Sequence, residues 1–150
     1  ALYLPFRVPR GMLQQTLDEY ADVPVNGYSV TVQHKEAAAA LAVEREETVD
    51  IVGAANTLLR RPDGKFAAFN SDYPAIIETV KAHLRERALG GPPVHLNQLA
   101  VLILGSGGAA RAVAFGLHAE GAQITIAGRT YERSQKLAEE VKCKAVDWHA

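Results

Sequence analysis

The sequence predicts an α/β protein made of two successive domains, and three observations support this prediction. Short apolar runs rich in β-branched residues alternate with helical stretches along all 150 residues. Residues 101–128 run in the order apolar strand, glycine-rich turn, helix and second strand, which is typical of a Rossmann-like nucleotide-binding unit. Residues 90–93, with the sequence GGPP, contain too many breakers to continue a helix or a strand, so they mark the boundary.

The first predicted domain, residues 1–88, starts with two short elements. Residues 1–6 form an apolar run that is typical of a strand. Pro9 and Gly11 then begin a helix, because proline is tolerated in a first turn. The apolar side of this helix holds Met12, Leu13 and Leu17.

Four further elements follow in the same domain. The β-branched residues of 28–32 predict a strand, and the alanine run at 37–40 predicts a helix. Residues 55–59 and 66–69 are predicted strands. The Pro-Asp-Gly sequence within residues 61–65 is typical of a hairpin turn between them.

A helix from Asp72 to about Arg87 ends the first predicted domain. Asp72 is predicted to cap this helix, since a carboxylate oxygen accepts hydrogen bonds from the first free N–H groups. Pro74 fits in the first turn, where a missing N–H costs nothing. Capping alone is sufficient to explain the presence of Asp72.

The second predicted domain, residues 99–150, is Rossmann-like and incomplete. It holds strands at 101–104 and 123–127, each followed by a helix, and the start of a third strand at 144–146. A nucleotide-binding sheet of this type normally has about five or six strands. We therefore expect the chain to be truncated at its C-terminus. It also begins inside an apolar run, so the first domain is expected to lack its first strand.

The turn after the strand at 101–104 has the pattern G-x-G-x-x-A, which indicates dinucleotide binding in this context. Gly105 allows the sharp turn, Gly107 leaves room for a pyrophosphate, and the small Ala110 lets helix and strand pack closely. The N–H groups and the positive dipole end of the following helix face the phosphates. The predicted cofactor contacts of this turn are Gly105, Ser106, Gly107, Gly108, Ala109 and Ala110.

The residues after the second strand of this unit predict NADP rather than NAD. NAD-binding units usually place Asp or Glu there, where it accepts hydrogen bonds from the ribose hydroxyls. This chain has Arg129 and Thr130, with Arg133 one helical turn later. A guanidinium binds the 2′-phosphate of NADP through bidentate, charge-assisted hydrogen bonds. A solvated helix start is the alternative for both arginines: it is equal to the phosphate contact for Arg133, whereas the phosphate contact is favoured for Arg129 at the strand end.

The composition is that of an ordinary globular protein, with 48% hydrophobic and 22% charged residues. A formal net charge of −1 gives no support to nucleic-acid binding, and no apolar run approaches the roughly 20 residues that span a membrane. Cys143 is the single cysteine, so an internal disulfide is excluded and a reducing cytoplasm is expected. The five histidines lack a metal-ligand spacing, so no metal site is predicted. No feature specifies an oligomeric state.

Three strings in the first half place polar residues at the ends of predicted strands, where α/β enzymes gather their ligands. The strings are GYSVTVQHK, GAANT and NSD, and they contain Thr31, Lys35, Asn56 and Asp72. Each residue also has a purely structural explanation. Thr31 can face outward from a strand, Lys35 can be a solvated helix start, Asn56 can form a turn and Asp72 can cap a helix.

These strings, followed by GSGGAARA and GRT in the second half, resemble the shikimate dehydrogenase family in content, order and approximate spacing. The resemblance covers nearly the whole chain. It implies an NADP-dependent oxidoreductase that interconverts two small molecules, 3-dehydroshikimate and shikimate, in aromatic amino acid biosynthesis. It assigns Lys35 and Asp72 as the catalytic pair, with Thr31 and Asn56 holding substrate hydroxyls. The strings YLPFRV and HKE resemble the shikimate dehydrogenase half of bifunctional dehydroquinate dehydratase–shikimate dehydrogenases.

Two positions depart from the family pattern. Gln33 replaces the usual proline, which makes the loop before Lys35 less rigid, and Gly128 replaces the usual asparagine before Arg129. The family's upstream S-x-S motif, whose serines bind the substrate carboxylate, does not occur within this sequence. The 150 residues alone are therefore expected to be inactive or nearly so.

Three alternative functions stay open at this point. A quinate dehydrogenase would have the same fold, and its substrate choice depends partly on the serine region. A non-catalytic NADP-binding module would also keep the fold, although the presence of both Lys35 and Asp72 argues against it. A methylenetetrahydrofolate dehydrogenase would share the fold but not the GAANT and NSD strings.

Overall fold

The computed structural model describes residues 2–87, 92 and 94–149. The chain divides between Phe69 and Asn70 into two compact units. The predicted α/β class is confirmed, because each unit combines helices with a sheet. The predicted domain limits stay predictions, and the predicted boundary at residues 90–93 lies outside the described residues except for Pro92.

The first unit contains a four-stranded mixed sheet and three helices. The strands are β1 (Gly27–Ser29), β2 (Glu44–Arg45), β3 (Thr57–Arg60) and β4 (Phe66–Phe69). Their spatial order is β1-β3-β4-β2, with β3 antiparallel to both of its neighbours and β2 parallel to β4. The helices are α1 (Leu13–Glu19), α2 (Lys35–Leu41) and α3 (Glu47–Val52).

Small and β-branched residues build the core of the first unit. The predicted helix on the alanine run is confirmed as α2, and its Ala38 and Ala39 are buried. The predicted helix after Pro9 is confirmed as α1, which buries Leu13 and Leu17 one turn apart. The other buried residues of this cluster are Val30, Ala42, Val49, Ala55, Leu58 and Ala68.

The predicted hairpin is also confirmed. β4 has the predicted limits, whereas β3 begins two residues later than predicted, at Thr57, and continues to Arg60. The turn is closed by a hydrogen bond of 2.8 Å from the Arg61 N–H to the Lys65 carbonyl. Gly64 in this turn has φ of 78°, a conformation that glycine adopts without strain.

The predicted strand at residues 1–6 is wrong for the part that the structure describes. Residues 2–6 have no regular secondary structure, and Leu2 is 83% exposed. A strand needs a neighbouring backbone to pair with its N–H and C=O groups. Among the described residues no strand pairs with this segment. An apolar run indicates β propensity, but it does not supply the partner.

Two other differences between the predicted and the observed elements also arise from tertiary structure. The predicted strand at 28–32 ends at Ser29, because Val32 has a positive φ and begins a 3-10 turn that runs from Val32 to His34. β2 and α3 were not predicted. β2 consists of Glu44 and Arg45, which have low β propensity, and it forms because its backbone pairs with β4.

The second unit contains a parallel three-stranded sheet and three helices. The strands are β5 (Ala100–Leu104), β6 (Gln123–Gly128) and β7 (Lys144–Asp147), in that spatial order. The helices are α4 (Asp72–Arg87), α5 (Gly108–Ala119) and α6 (Tyr131–Val141). All three predicted strands of this part are confirmed, each with one further residue.

The core of the second unit lies between this sheet and its helices. Ile103 of β5 and Ile126 of β6 are buried together with Leu117 of α5 and Leu137 of α6. α4 packs against α5, where a Cβ added to Gly116 would lie 2.8 Å from Cδ1 of Ile77. The remaining buried members are Ile77, Leu96, Ala114, Ala122, Ile124, Ala138 and Val141.

Helix α4 has the predicted limits, and Asn70 takes part in capping it. The buried Asn70 side chain accepts hydrogen bonds through Oδ1 from the N–H groups of Asp72 at 3.0 Å and Tyr73 at 3.3 Å. Asp72 is the first helical residue, where a carboxylate interacts favourably with the helix dipole. The sequence pattern predicts capping by Asp72 and did not assign any capping role to Asn70.

Candidate functional site

Backbone hydrogen bonds bring three of the predicted substrate residues, Thr31, Lys35 and Asn56, to one end of the first sheet. The Asn56 carbonyl accepts a bond of 2.7 Å from the N–H of Val30, the residue before Thr31. The Lys35 carbonyl accepts a bond of 2.8 Å from the N–H of Ala55. The first bond joins the segment after β1 to the segment before β3. The second bond joins the start of α2 to that same segment before β3. The three residues thus share one small region of the first unit.

Asn56 is held on several sides. Its N–H donates to the Phe69 carbonyl at 3.1 Å, and its side-chain Oδ1 accepts from the Thr57 hydroxyl at 3.0 Å. Its side chain is half-buried, as is that of Lys35, whereas Thr31 is exposed. Asn56 therefore has a fixed orientation next to Thr31 and Lys35.

The segment between Thr31 and Lys35 has a strained backbone. Val32 has φ of 53°, in the left-handed region, although its side chain is 73% exposed. For a β-branched residue this conformation costs about 1–2 kcal/mol. Such strain persists only where the surrounding structure imposes it, and it is concentrated at functional sites. Here it separates two predicted substrate residues.

Asp72 lies in the second unit, at the start of α4, and its side chain is half-buried. Asn70 caps the first N–H groups of this helix, and Asp72 is its first residue. The NSD string therefore combines a structural residue, Asn70, with the predicted catalytic residue, Asp72. Sequence reasoning missed the role of Asn70, since both residue types are good helix caps.

The glycine turn has the geometry that a dinucleotide site requires. Gly105 has φ of 121°, a backbone conformation available almost only to glycine, and its N–H donates to the Ala127 carbonyl at 2.7 Å. Gly107 precedes the first turn of α5 in an extended conformation and is exposed. Apart from Gly107 itself and its two chain neighbours, no described residue has an atom within 4 Å of a Cβ added to Gly107. The space above this turn is therefore open to a ligand.

The predicted adenosine contacts follow the end of β6. Arg129 comes directly after the strand, Thr130 precedes the first residue of α6, and Arg133 is the third residue of that helix. All three side chains are exposed. Arg129 and Thr130 thus occupy the strand-to-helix connection next to the glycine turn, since β5 and β6 are parallel neighbours. Arg133 is exposed in the first turn of α6, a position that fits both a cofactor contact and a solvated helix start.

Ser134 explains why Gly128 has no side chain. A Cβ added to Gly128 would lie 2.5 Å from the Ser134 Oγ and 3.7 Å from the Gly105 Cα. Ser134 is fully buried, and its hydroxyl donates to the Thr130 carbonyl at 3.4 Å. The space that the family's asparagine side chain would enter at position 128 is thus occupied by the hydroxyl of Ser134.

We expect Gly128→Ala to destabilise the second unit by about 1–3 kcal/mol, because the new methyl group collides with a buried oxygen. Ser134→Ala alone should change stability little, since it removes only one long hydrogen bond. The double variant should recover most of the loss, which a double-mutant cycle on thermal unfolding would measure. Additive effects of the two changes would contradict this account of Gly128.

Two other chemically active groups in the described part of the chain lie outside the predicted site. Arg111 of the GSGGAARA string forms an ion pair of 2.7 Å with Glu140, which joins α5 to α6. Burial raises the pKa of the Cys143 thiol, so this thiol is a poor nucleophile. Among the described residues, no group of three or more His, Cys, Asp or Glu side chains could hold a metal ion, and no helix could cross a membrane.

Two family models match the sequence, one in each half. The shikimate dehydrogenase substrate binding domain matches residues 1–58, which include Thr31, Lys35 and Asn56. The model described as shikimate / quinate 5-dehydrogenase matches residues 84–149, which include the glycine turn and Arg129.

Relatives of similar sequence carry the same family name. Shikimate dehydrogenase (NADP(+)) of Methanopyrus kandleri is 40% identical over 144 residues, which is 95% of this chain and 47% of the relative. The chloroplastic bifunctional 3-dehydroquinate dehydratase/shikimate dehydrogenase of Arabidopsis thaliana is 39% identical over 137 residues, which is 87% of this chain and 22% of the relative. The chain thus spans less than half the length of these two relatives.

Solved structures of similar fold come from the same family. Shikimate dehydrogenase of Aquifex aeolicus has a TM-score of 0.81 and 30% identity, covering 97% of this chain and 51% of that structure. The Thermus thermophilus enzyme, in complex with NADP(H) and shikimate, has a TM-score of 0.70 and 36% identity, covering 93% of this chain and 49% of that structure. The family resemblance read from the motifs is confirmed, and the chain belongs to the shikimate dehydrogenase family.

Proposed function

We propose that the protein catalyses the reversible, NADP-dependent reduction of 3-dehydroshikimate to shikimate, a step in aromatic amino acid biosynthesis. The observation that carries this proposal is the gathering of Thr31, Lys35 and Asn56 by short backbone bonds at one end of the first sheet. Two relatives support it by name, as NADP(+)-dependent shikimate dehydrogenase and as its bifunctional plant counterpart. The lone cysteine is consistent with a reducing cytoplasm as the place of action.

The proposed roles follow from the chemistry of ketone reduction. Bound NADPH supplies the hydride, and negative charge develops on the substrate oxygen. A positive or proton-donating group at that oxygen stabilises the transition state, and Lys35 is the residue that we assign to it. In the reverse direction a neutral Lys35 amine accepts the alcohol proton. Asp72, the second member of the catalytic pair by the family's motifs, accepts a hydrogen bond from a substrate hydroxyl.

Thr31 and Asn56 are proposed to hold the hydroxyl groups of the substrate. Both side chains offer hydrogen-bonding atoms of the kind that a polyhydroxylated ring requires. Asn56 is suited to this role because its backbone is bonded on two sides, to Val30 and to Phe69, so its side chain is presented from a fixed position. Thr31 directly precedes the strained residue Val32, at the start of the 3-10 turn that leads to Lys35.

NADP fits the residues of the second unit. The open space at Gly107 admits a pyrophosphate close to the backbone, and the first N–H groups of α5 are available to its oxygens. The exposed Arg129 stands at the end of β6, where a cation binds the 2′-phosphate that distinguishes NADP from NAD. Thr130 adds a hydroxyl at the same connection.

We expect Arg129→Asp to weaken NADPH binding by about tenfold to a hundredfold while changing NADH binding far less, because it removes a charge-assisted hydrogen bond to the 2′-phosphate. Fluorescence titration of both nucleotides measures this difference. Lys136→Asp, an equal change of charge at an exposed site on α6, is the matched control. Equal losses for NADPH and NADH would contradict the role of Arg129. The same titration of Arg133→Asp decides between cofactor contact and solvated helix start.

The proposed reaction is tested by assaying the intact protein that contains these residues, with NADP, against shikimate and against quinate. Faster oxidation of shikimate supports the proposal. Quinate is the second candidate, because the model that matches residues 84–149 is described for both compounds. A clear preference for quinate would transfer the proposal to that substrate. If the protein binds NADPH but turns over neither compound, the proposed dehydrogenase activity is contradicted. That result would favour a non-catalytic NADP-binding module.

A further inference from the structure

His34 makes the hydrogen bond that connects the lysine-bearing segment to the start of the chain. Its Nε2 lies 3.0 Å from the carbonyl oxygen of Val8, 26 residues earlier in the sequence. The ring N–H donates this bond, and both residues are half-buried. Val8 belongs to an irregular stretch that leads into α1.

The segment from Thr31 to His34 has little else to hold it. Its own 3-10 turn is closed by a bond of 3.5 Å from the His34 N–H to the Thr31 carbonyl, at the long limit for a hydrogen bond. Val32 is in a strained conformation, and Gln33 lacks the fixed φ that a proline would provide. The segment is firmly held at its ends, through Val30 and through the Lys35 carbonyl.

We infer that His34 is a positioning residue for Lys35, an inference that rests on the proposed function. The imidazole bond to Val8 holds the last residue of the turn, and the next residue begins α2 with the lysine side chain. It restores at residue 34 the rigidity that is lost with the proline at residue 33. A catalytic group displaced by about 1 Å can lose about a hundredfold in rate, so an imidazole that does not touch substrate can still control turnover.

The test compares three variants in the intact protein. His34→Leu keeps the side-chain bulk and removes the donor, whereas His34→Gln retains an N–H that can reach the Val8 carbonyl. His83→Leu, at an exposed histidine of α4, is the control for loss of an imidazole. The measurements are kcat, the KM for shikimate, the affinity for NADPH and thermal unfolding.

We expect His34→Leu to lower kcat by about tenfold to a hundredfold with NADPH affinity unchanged, because the lysine loses its position. His34→Gln should recover most of this loss, and His83→Leu should behave like the unmodified protein. A purely structural role would lower the unfolding temperature of His34→Leu without changing kcat of the folded protein. That outcome, or equal loss of kcat in the leucine and glutamine variants, would overturn the inference.

A second measurement separates this inference from the proposed reaction. Amide hydrogen exchange of residues 31–36, without substrate, reports how often the segment opens. We expect exchange about tenfold faster in His34→Leu than in His34→Gln, since one lost hydrogen bond corresponds to roughly that factor. If the unmodified protein turns over neither shikimate nor quinate, the proposed function fails. The difference in amide exchange between the two variants would still support the inference that His34 limits the opening of residues 31–36. Equal exchange in both variants would overturn it.

Discussion

Lys35→Ala should lower kcat for shikimate oxidation by about a hundredfold to ten-thousandfold, the range that a positioned acid or base contributes. The fold should survive, because the bond that ties residue 35 to Ala55 uses the backbone carbonyl and not the lysine side chain. NADPH affinity should stay nearly the same, since the predicted cofactor residues all lie in the second unit. Steady-state kinetics and nucleotide titration measure the two effects separately.

Lys65→Ala is the matched control for this experiment, because Lys65 is an exposed lysine of the hairpin turn in the same unit. Its kinetics should equal those of the unmodified protein. Undiminished turnover in Lys35→Ala would remove Lys35 from the catalytic pair. A parallel loss of NADPH affinity would instead point to a general disturbance of the protein.

Gly27→Ala should be among the most destabilising single-methyl changes in the first unit. A Cβ added to Gly27 would lie 2.6 Å from the carbonyl oxygen of Leu58 and 3.0 Å from Cδ2 of Leu59. The first of these atoms belongs to the backbone of the paired strand β3, so it cannot rotate away. Overpacking of this kind costs about 1–3 kcal/mol, and the cost rises where backbone must move.

Thermal unfolding followed by circular dichroism measures this cost. Ser29→Ala, at an exposed position of the same strand, is the control and should change stability little. Because β1 leads directly to Thr31, we also expect Gly27→Ala to raise the KM for shikimate in the fraction that stays folded. Unchanged stability of Gly27→Ala would show that β1 and β3 can separate without cost, contrary to their close approach.

Local sequence signals predicted the elements with a strong pattern of their own. The alanine run of α2, the Pro-Asp-Gly turn and the apolar strands of the second unit all have the predicted type and nearly the predicted limits, and those strands also find partners in one another. The strand that was expected at residues 1–6 and the strand β2 that was not expected both depart from the prediction for the same reason. Strand formation depends on a partner, and a partner is a property of the fold rather than of the segment.

For the candidate site too, the sequence indicated the residues but not how the fold brings them together. The strings identified Thr31, Lys35 and Asn56, but only the long-range bonds of the Asn56 and Lys35 carbonyls bring them together. Within NSD, the sequence did not show that Asn70 binds the free N–H groups of α4, because asparagine and aspartate are equally good caps. The roles of these residues and of the cofactor contacts remain predictions, to be decided by the substitutions described above.

The contact between Gly128 and Ser134 also constrains how this chain can change during evolution. A substitution that adds a side chain at position 128 is harmful while the hydroxyl of Ser134 fills the adjacent space. Loss of that hydroxyl, for example to alanine, must come first, and only then does position 128 become permissive. Relatives with asparagine at the position of Gly128 should therefore carry alanine or glycine at that of Ser134, so the order of the two mutations is set by sterics.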